Sequence, residues 1–254
     1  MQIVPGPRQV VREALMLTEL PRGLVALGRI WGLPGVPVTH RRLAGNAVDD
    51  APPPLVDRGG RDQPADDGYG PLLHRIFRAH VASPRLEPRA VIAVLAADMN
   101  QAMVPGVARF DRVGGSGRAL AVADEFVVRM PGPWDGPVRV VDRTDDPGRS
   151  SFRLATLAGH LEAGQIEFAA TAVPDGLEFT ITTWARAGDL LADVVYNRVL
   201  VAREIQFQLW VHCCLRAAEL AGGISAAGVE VTTRSLTWSD EVAAHSREKS
   251  SASA

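Results

Sequence analysis

Long apolar runs are missing from this chain. Nowhere do about eighteen apolar residues follow one another, so the sequence offers no transmembrane helix. Charge of one sign is missing too. With 27 Lys and Arg against 29 Asp and Glu, the formal net charge is −2, which removes the electrostatic ground for expecting nucleic acid or an anionic membrane as partner. Cysteine is reduced to the adjacent pair Cys213 and Cys214, inside an apparent helix. Neighbouring helical residues point about 100° apart, which argues against a structural disulfide and for two buried thiols in a reducing cytoplasm. The opening MQIVPGPRQ has no cationic leader before an apolar core, which argues against a signal peptide. No Gly-x-Ser-x-Gly elbow occurs, so a serine hydrolase is disfavoured. Gly114-Gly115-Ser116-Gly117 lacks the Lys-Ser/Thr of a phosphate loop and precedes a strand, so it reads as a hairpin turn. No internal repeat stands out. No Cys/His cluster supports a metal site, and neither metal nor cofactor is expected.

What remains is the composition of a soluble globular protein, 46% hydrophobic and 22% charged over 254 residues. Residues 8–20 have helical spacing up to the interruption at Pro21-Arg22-Gly23. The apolar, Gly- and Pro-broken stretch after it, residues 22–38, suits a short docking helix, with peripheral membrane contact as the alternative. Residues 49–70 are rich in Pro, Gly and Asp, a composition that buries too little apolar surface to offset its ordering entropy. The expected organisation is a helical extension over 1–48, a linker over 49–70, a folded domain over 71–237 and a disordered tail over 238–254.

From Pro71 the pattern becomes regular. Strands are expected over 72–82, 107–114, 118–130, 137–144, 150–157, 164–173, 176–187 and 228–236. A helix starting near Pro88 follows the first of them. In the 176–187 strand, Leu177, Phe179 and Ile181 alternate with Glu178, Thr180 and Thr182. Between 189 and 220 the period changes to helical. Leu209, Cys213, Ala217 and Leu220 share one face, and Gly222-Gly223 is the stop signal. Short connections between successive strands favour an antiparallel sheet, and the long helix must bury its apolar face against it. The fold class is therefore α+β: a curved antiparallel sheet of about six to seven strands wrapped round a long C-terminal helix. That is a helix-grip arrangement with a cavity between sheet and helix.

The most distinctive stretch is FRLATLAGHLEAGQIEF, residues 152–168. It reads as a strand, a seven-residue connection carrying His160 and Glu162, and a second strand carrying Glu167. Its spacing, F-x-x-x-T-L-x-G-H-x-x-x-G-x-x-x-F, resembles a family of uncharacterised bacterial and plant proteins, a domain of unknown function. The string of elements resembles the START and pollen-allergen-like (SRPBCC) helix-grip superfamily, which includes lipid carriers, polyketide cyclases and hormone receptors. The family typically has an aromatic-Gly before the Thr-Leu and Gly-Glu-Glu after the hairpin. Here Leu154-Ala155 and Gly164-Gln165-Ile166 stand there instead, with the acidic residue at Glu167. The resemblance covers about residues 71–222 and brings no established reaction.

Candidate site residues divide into two groups. His160 near Glu162 and Glu167 has the types needed for acid–base chemistry, against the plainer reading of a loop-fixing hydrogen bond with Glu162 in solvent. Asp124 shares the parity of the apolar residues in 118–130, which points it either into a pocket or, through a bulge, outward. Gln206 lies on the apolar stripe of the long helix with Trp210 one turn on, and Arg198 flanks the stripe. The leading expectation is a protein binding an apolar or amphipathic small molecule through Asp124, Arg198, Gln206 and Trp210. The alternatives are a cyclase-, dehydratase- or isomerase-type enzyme using His160, Glu167 and Asp124, and an association module with a filled interior.

Overall fold

Two-residue periodicity recurs along the chain after residue 69, and it builds one large sheet. The computed structural model describes residues 37–55, 59–115, 119–130, 135–188, 201–223 and 227–239, with positions 25, 28, 35 and 225. Nine strands result: β1 (Val38–Ala44), β2 (Tyr69–Ala82), β3 (Arg109–Arg112), β4 (Glu125–Arg129), β5 (Gly136–Asp146), β6 (Arg149–Thr156), β7 (Glu162–Val173), β8 (Gly176–Ala187) and β9 (Val229–Leu236). Their order across the sheet is β1-β9-β2-β8-β7-β6-β5-β4-β3. From β3 to β8 successive strands pair antiparallel, as short connections require, and β2 fits antiparallel between β8 and β9.

Two expectations need correcting. The sheet has nine strands, and it is mixed, because β1 runs parallel to β9 in a register that starts at Val38 opposite Val229. β1 lies within residues 1–48, so that segment is not helical throughout. Its isolated sequence has no core-facing alternation to reveal it, since six of its seven residues are exposed at the sheet edge. The helical reading of 8–20, the start of the long helix and the tail beyond 239 lie outside the described residues.

One face of the sheet is the core. On β8, Leu177, Phe179 and Ile181 are essentially fully buried and pack with Phe77 of β2, Phe152 of β6 and Phe168 of β7. Helix α2 (Pro88–Ala97) starts with Pro at its first turn and covers this face with Val91, Ile92 and Leu95. Helix α3 (Val201–Leu220) covers it with Leu209, Cys213 and Ala217, the stripe expected from its period. Trp210, Val211, Cys214 and Ala218 are buried as well, so α3 is enclosed on most of its circumference. Both cysteines are free, and burial pushes their thiols well above the ordinary range.

The expected strand over 118–130 is cut in half. Ala123 takes a positive φ of 74°, the Asp124 amide closes a turn on the Ala121 carbonyl at 3.1 Å, and β4 begins only at Glu125. Asp124 holds this turn by accepting the Ala121 amide at 2.8 Å and pairing with Arg112. One local backbone hydrogen bond and the Arg112 guanidinium of β3, both on a short carboxylate, compete successfully with the ladder there.

The described residues of the 49–70 stretch, 49–55 and 59–70, do not behave as a linker. Ala51 and Ala65 are buried, and a smaller apolar cluster of Ala65, Leu72 and Trp184 forms on the face of the sheet opposite the main core. Gln63 pairs backbone with Thr156 (2.8 Å) and Gly164 (3.0 Å), and Asp62 pairs with Arg139 at 2.6 Å. Arg186 spans the strap from β8, donating to the Gly70 and Ala65 carbonyls at 2.9 and 2.8 Å. The described parts of this segment are held by long-range polar contacts, which composition does not express.

At the start of the strap, Asp50 terminates the short helix α1 (Ala47–Asp50) and is fully buried. It accepts a hydrogen bond from His74 Nδ1 at 2.6 Å, because a carboxylate only accepts, and His74 stacks on Trp184 at 5.2 Å. Burial raises the Asp50 carboxyl, but the His74 and Asn46 hydrogen bonds with the His74 and Arg234 charges outweigh it and hold the pKa below the usual 3.8. A depressed carboxyl stabilises the fold fully above its unfolded value and loses that contribution as pH falls through the folded one. Asp50→Ala is expected to lower unfolding stability by about 2–3 kcal/mol at neutral pH in urea titrations. The advantage of the parent over Asp50→Asn should shrink as pH falls below about 3.8.

Candidate functional site

A pocket of about 100 Å³ lies between the sheet and α3. Its walls are mostly apolar, with Leu154 and Ile166 from the sheet and Ile205, Leu209 and Trp210 from the helix. Its polar members include Thr156, His160, Glu162, Thr183 and Gln206. A few polar groups in an apolar recess is the usual make-up of a small-molecule site.

The hairpin of residues 152–168 supplies one end of it. Phe152 and Phe168 sit directly opposite each other on β6 and β7 and stack with centroids 5.2 Å apart. Phe168 meets the Trp210 ring edge-on at 5.7 Å, which seats the indole in the pocket wall. The connection between the strands is shorter than expected, residues 157–161, so Glu162 is the first residue of β7 and not part of the loop. With Phe168 facing the core, strand parity also turns Glu162 inward and Glu167 outward. Gly164 lies between them at φ 155°, and a Cβ there would stand 1.9 Å from the Trp184 carbonyl, so β7 approaches β8 closely enough to exclude any side chain.

His160 packs over Gly136, where a Cβ would lie 2.4 Å from the imidazole ring. Its Nδ1 accepts the Glu162 backbone amide at 2.9 Å, which in the neutral ring leaves the proton on Nε2. Gln63 of the strap holds the loop from outside, donating to the His160 and Glu162 carbonyls at 3.0 Å each and accepting the Gly159 amide at 3.2 Å.

Glu162 is only 8% exposed. Its Oε2 accepts from Gln206 Nε2 at 2.7 Å, and Gln206 Oε1 in turn accepts from Arg75 Nη1 at 3.3 Å. Arg75 is itself buried on β2, in step with Phe77. The chain guanidinium–amide–carboxylate therefore joins a buried positive and a buried negative charge through one oriented side-chain amide. Oε1 of Glu162 and Nε1 of Trp210 are both buried with no hydrogen-bond partner among the described residues.

The expected site residues are thus only partly brought together. His160, Gln206 and Trp210 all line the pocket. Glu167 lies on the opposite face of the sheet, paired with Arg149, and takes no part in the His160 cluster. Asp124 is buried but faces Arg112 rather than the pocket. Arg198 falls outside the described residues. Glu162, weighed in the sequence only as a loop neighbour of His160, enters the pocket, and Arg75 is not read as a site residue from the sequence at all. The signal for Glu162 is its even spacing to Phe168, which a seven-residue connection hides; for Arg75 it is parity with Phe77 on β2. Among the described residues no group of three or more His, Cys, Asp or Glu gathers as a metal site, and no helix is long and apolar enough to cross a membrane.

The family model described as a domain of unknown function, DUF1990, matches residues 87–215, which is 129 of 254 residues. The chain belongs to this family. The match runs from the start of α2 into α3 and includes the signature hairpin, while β1, the strap, β2 and β9 lie outside it. No curated protein matches the chain. Among solved structures, similar chains include the di-domain ARO/CYC StfQ from the steffimycin biosynthetic pathway, at 17% identity over 65% of this chain and 52% of that one, TM-score 0.41. Protein Ms6760 from Mycobacterium smegmatis is 15% identical over 64% of this chain and 95% of its own, TM-score 0.38. Major latex-like protein 151 from Panax ginseng is 14% identical over 55% and 99%, TM-score 0.32.

Because Gln206 is the donor to a buried carboxylate, Gln206→Leu is expected to reduce stability by about 1–3 kcal/mol in urea unfolding. Arg149→Ala, which opens the half-exposed pair to Glu167 on the other face, should cost less than about 1 kcal/mol in the same measurement.

Proposed function

We propose that this DUF1990 protein binds a small, mostly apolar molecule in the pocket between the sheet and α3. The observation that carries this reading is the pocket itself. Unfilled volume beside a core costs stability, yet residues from β6, β7, β8 and α3 leave a recess here that is apolar but for one end. Its size is of the order of the ~150 Å³ engineered cavity that admits benzene, so the occupant fits as a compact ring or short chain. Two free neighbouring thiols suit a reducing, cytoplasmic setting for it.

A second reading, acid–base catalysis of cyclase, dehydratase or isomerase type, is favoured by one observation: Glu162 and His160 line the same recess and are joined through the Glu162 amide. Its test is deuterium exchange. A ligand recovered after incubation with the protein in heavy water gains solvent deuterium at carbon under enolising or isomerising turnover and gains none if it is only held.

Native mass spectrometry of the protein purified from its own host should reveal a co-purifying small molecule. Ala185, buried in the pocket lining, offers the matching control. Ala185→Leu is expected to fill the space, retain a cooperative thermal transition and abolish the bound mass. Retention of the same ligand by a folded Ala185→Leu protein would sink the pocket as its location.

A further inference from the structure

The polar end of the pocket carries information about the ligand's charge. Glu162 and Trp210 are each less than a tenth exposed and both line the pocket. Glu162 Oε1 is an acceptor, and Trp210 Nε1 a donor, with no hydrogen-bond partner among the described residues. Buried polar atoms in folded proteins are nearly always hydrogen-bonded, and each exception calls for an explanation. Both atoms are covered as the side chains stand, and the broad terminal torsion of Glu lets the carboxylate turn an oxygen toward the recess. Trp210 lies one helical turn beyond Gln206, on the same side of α3.

Among the described residues the formal charges at the site balance. Glu162 contributes −1 and Arg75 +1, linked through the Gln206 amide at 2.7 and 3.3 Å. A bound ammonium would leave the apolar recess with a net positive charge and a bound carboxylate with a net negative one, and either is costly away from water. A hydroxyl adds no charge and supplies both a donor and an acceptor. We infer that the pocket selects an uncharged, compact apolar molecule bearing a hydroxyl, which donates to Glu162 while a ligand oxygen accepts the Trp210 N–H. The inference rests on the proposed pocket function and narrows it to a ligand class.

Benzyl alcohol, toluene, benzoate and benzylamine share one ring and differ at the polar end. Their binding to the full-length protein at pH 7.5, by calorimetry or ligand-observed NMR, tests the inference directly. Benzyl alcohol is expected to bind about tenfold or more tighter than each of the other three. Glu162→Gln should erase most of the preference over benzoate. Trp210→Phe, which keeps the ring and removes the N–H, should narrow the preference over toluene and serves if the first variant does not fold. Toluene binding as tightly as the alcohol would overturn the polar-end inference and leave the pocket standing. Benzoate or benzylamine binding more tightly than the alcohol would overturn the charge balance. Failure of all four probes to bind at millimolar concentration would overturn the pocket function together with the inference.

Discussion

The cross-strand stack of Phe152 on Phe168 sets the direction of everything that matters in this molecule. Because side chains alternate strictly along a strand, committing these two rings to the core commits Leu154, Thr156, Glu162 and Ile166 to the same side. The T-shaped contact from Phe168 to Trp210 then couples the sheet to α3 and defines one wall of the pocket. A one-residue slip in this hairpin would exchange Glu162 for Ala163 in the recess and bring Glu167 to the core side.

The second organising element is the strap of residues 49–70, which belongs to the fold although its composition is that of a linker. Gln63 uses its backbone and side chain together to hold both ends of the hairpin connection, so the His160 loop is fixed from outside the pocket. Asp50 and His74 close the other end of the strap beneath Trp184 and beside Arg234. These polar contacts lie on the face opposite the main core. Both faces of β2, β7 and β8 are therefore occupied, one by helices and one by the strap, which explains buried polar residues such as Arg186 and Gln165 in outward positions.

Much of the strand content was legible in the sequence. The limits of β8 agree with its alternating pattern, and the buried stripe of α3 follows its 3.6-residue period. Legibility failed where a local competitor intervened. The carboxylate of Asp124 captures an amide and a guanidinium and ends a strand that alternation alone would continue. β1 failed for the opposite reason, since an exposed edge strand needs no apolar face and so writes no pattern. The pocket lining was half legible: His160, Gln206 and Trp210 are among the residues the sequence points to, Glu162 is read there only as a loop neighbour of His160, and Arg75 is not read at all.

By itself the sequence determined the class of the fold, the hairpin at 152–168 and the buried stripe of the long helix, because each is written in local spacing and composition. Only the tertiary structure decided which carboxylate faces the pocket. Glu162 and Glu167 are five residues apart and chemically alike, and their fates divide on the position at which the connection ends and β7 begins. That position is held by contacts to Gln63, almost a hundred residues earlier in the chain. The hairpin at 152–168 thus carries one end of the pocket, through a residue whose direction is set by pairing register and a distant strap.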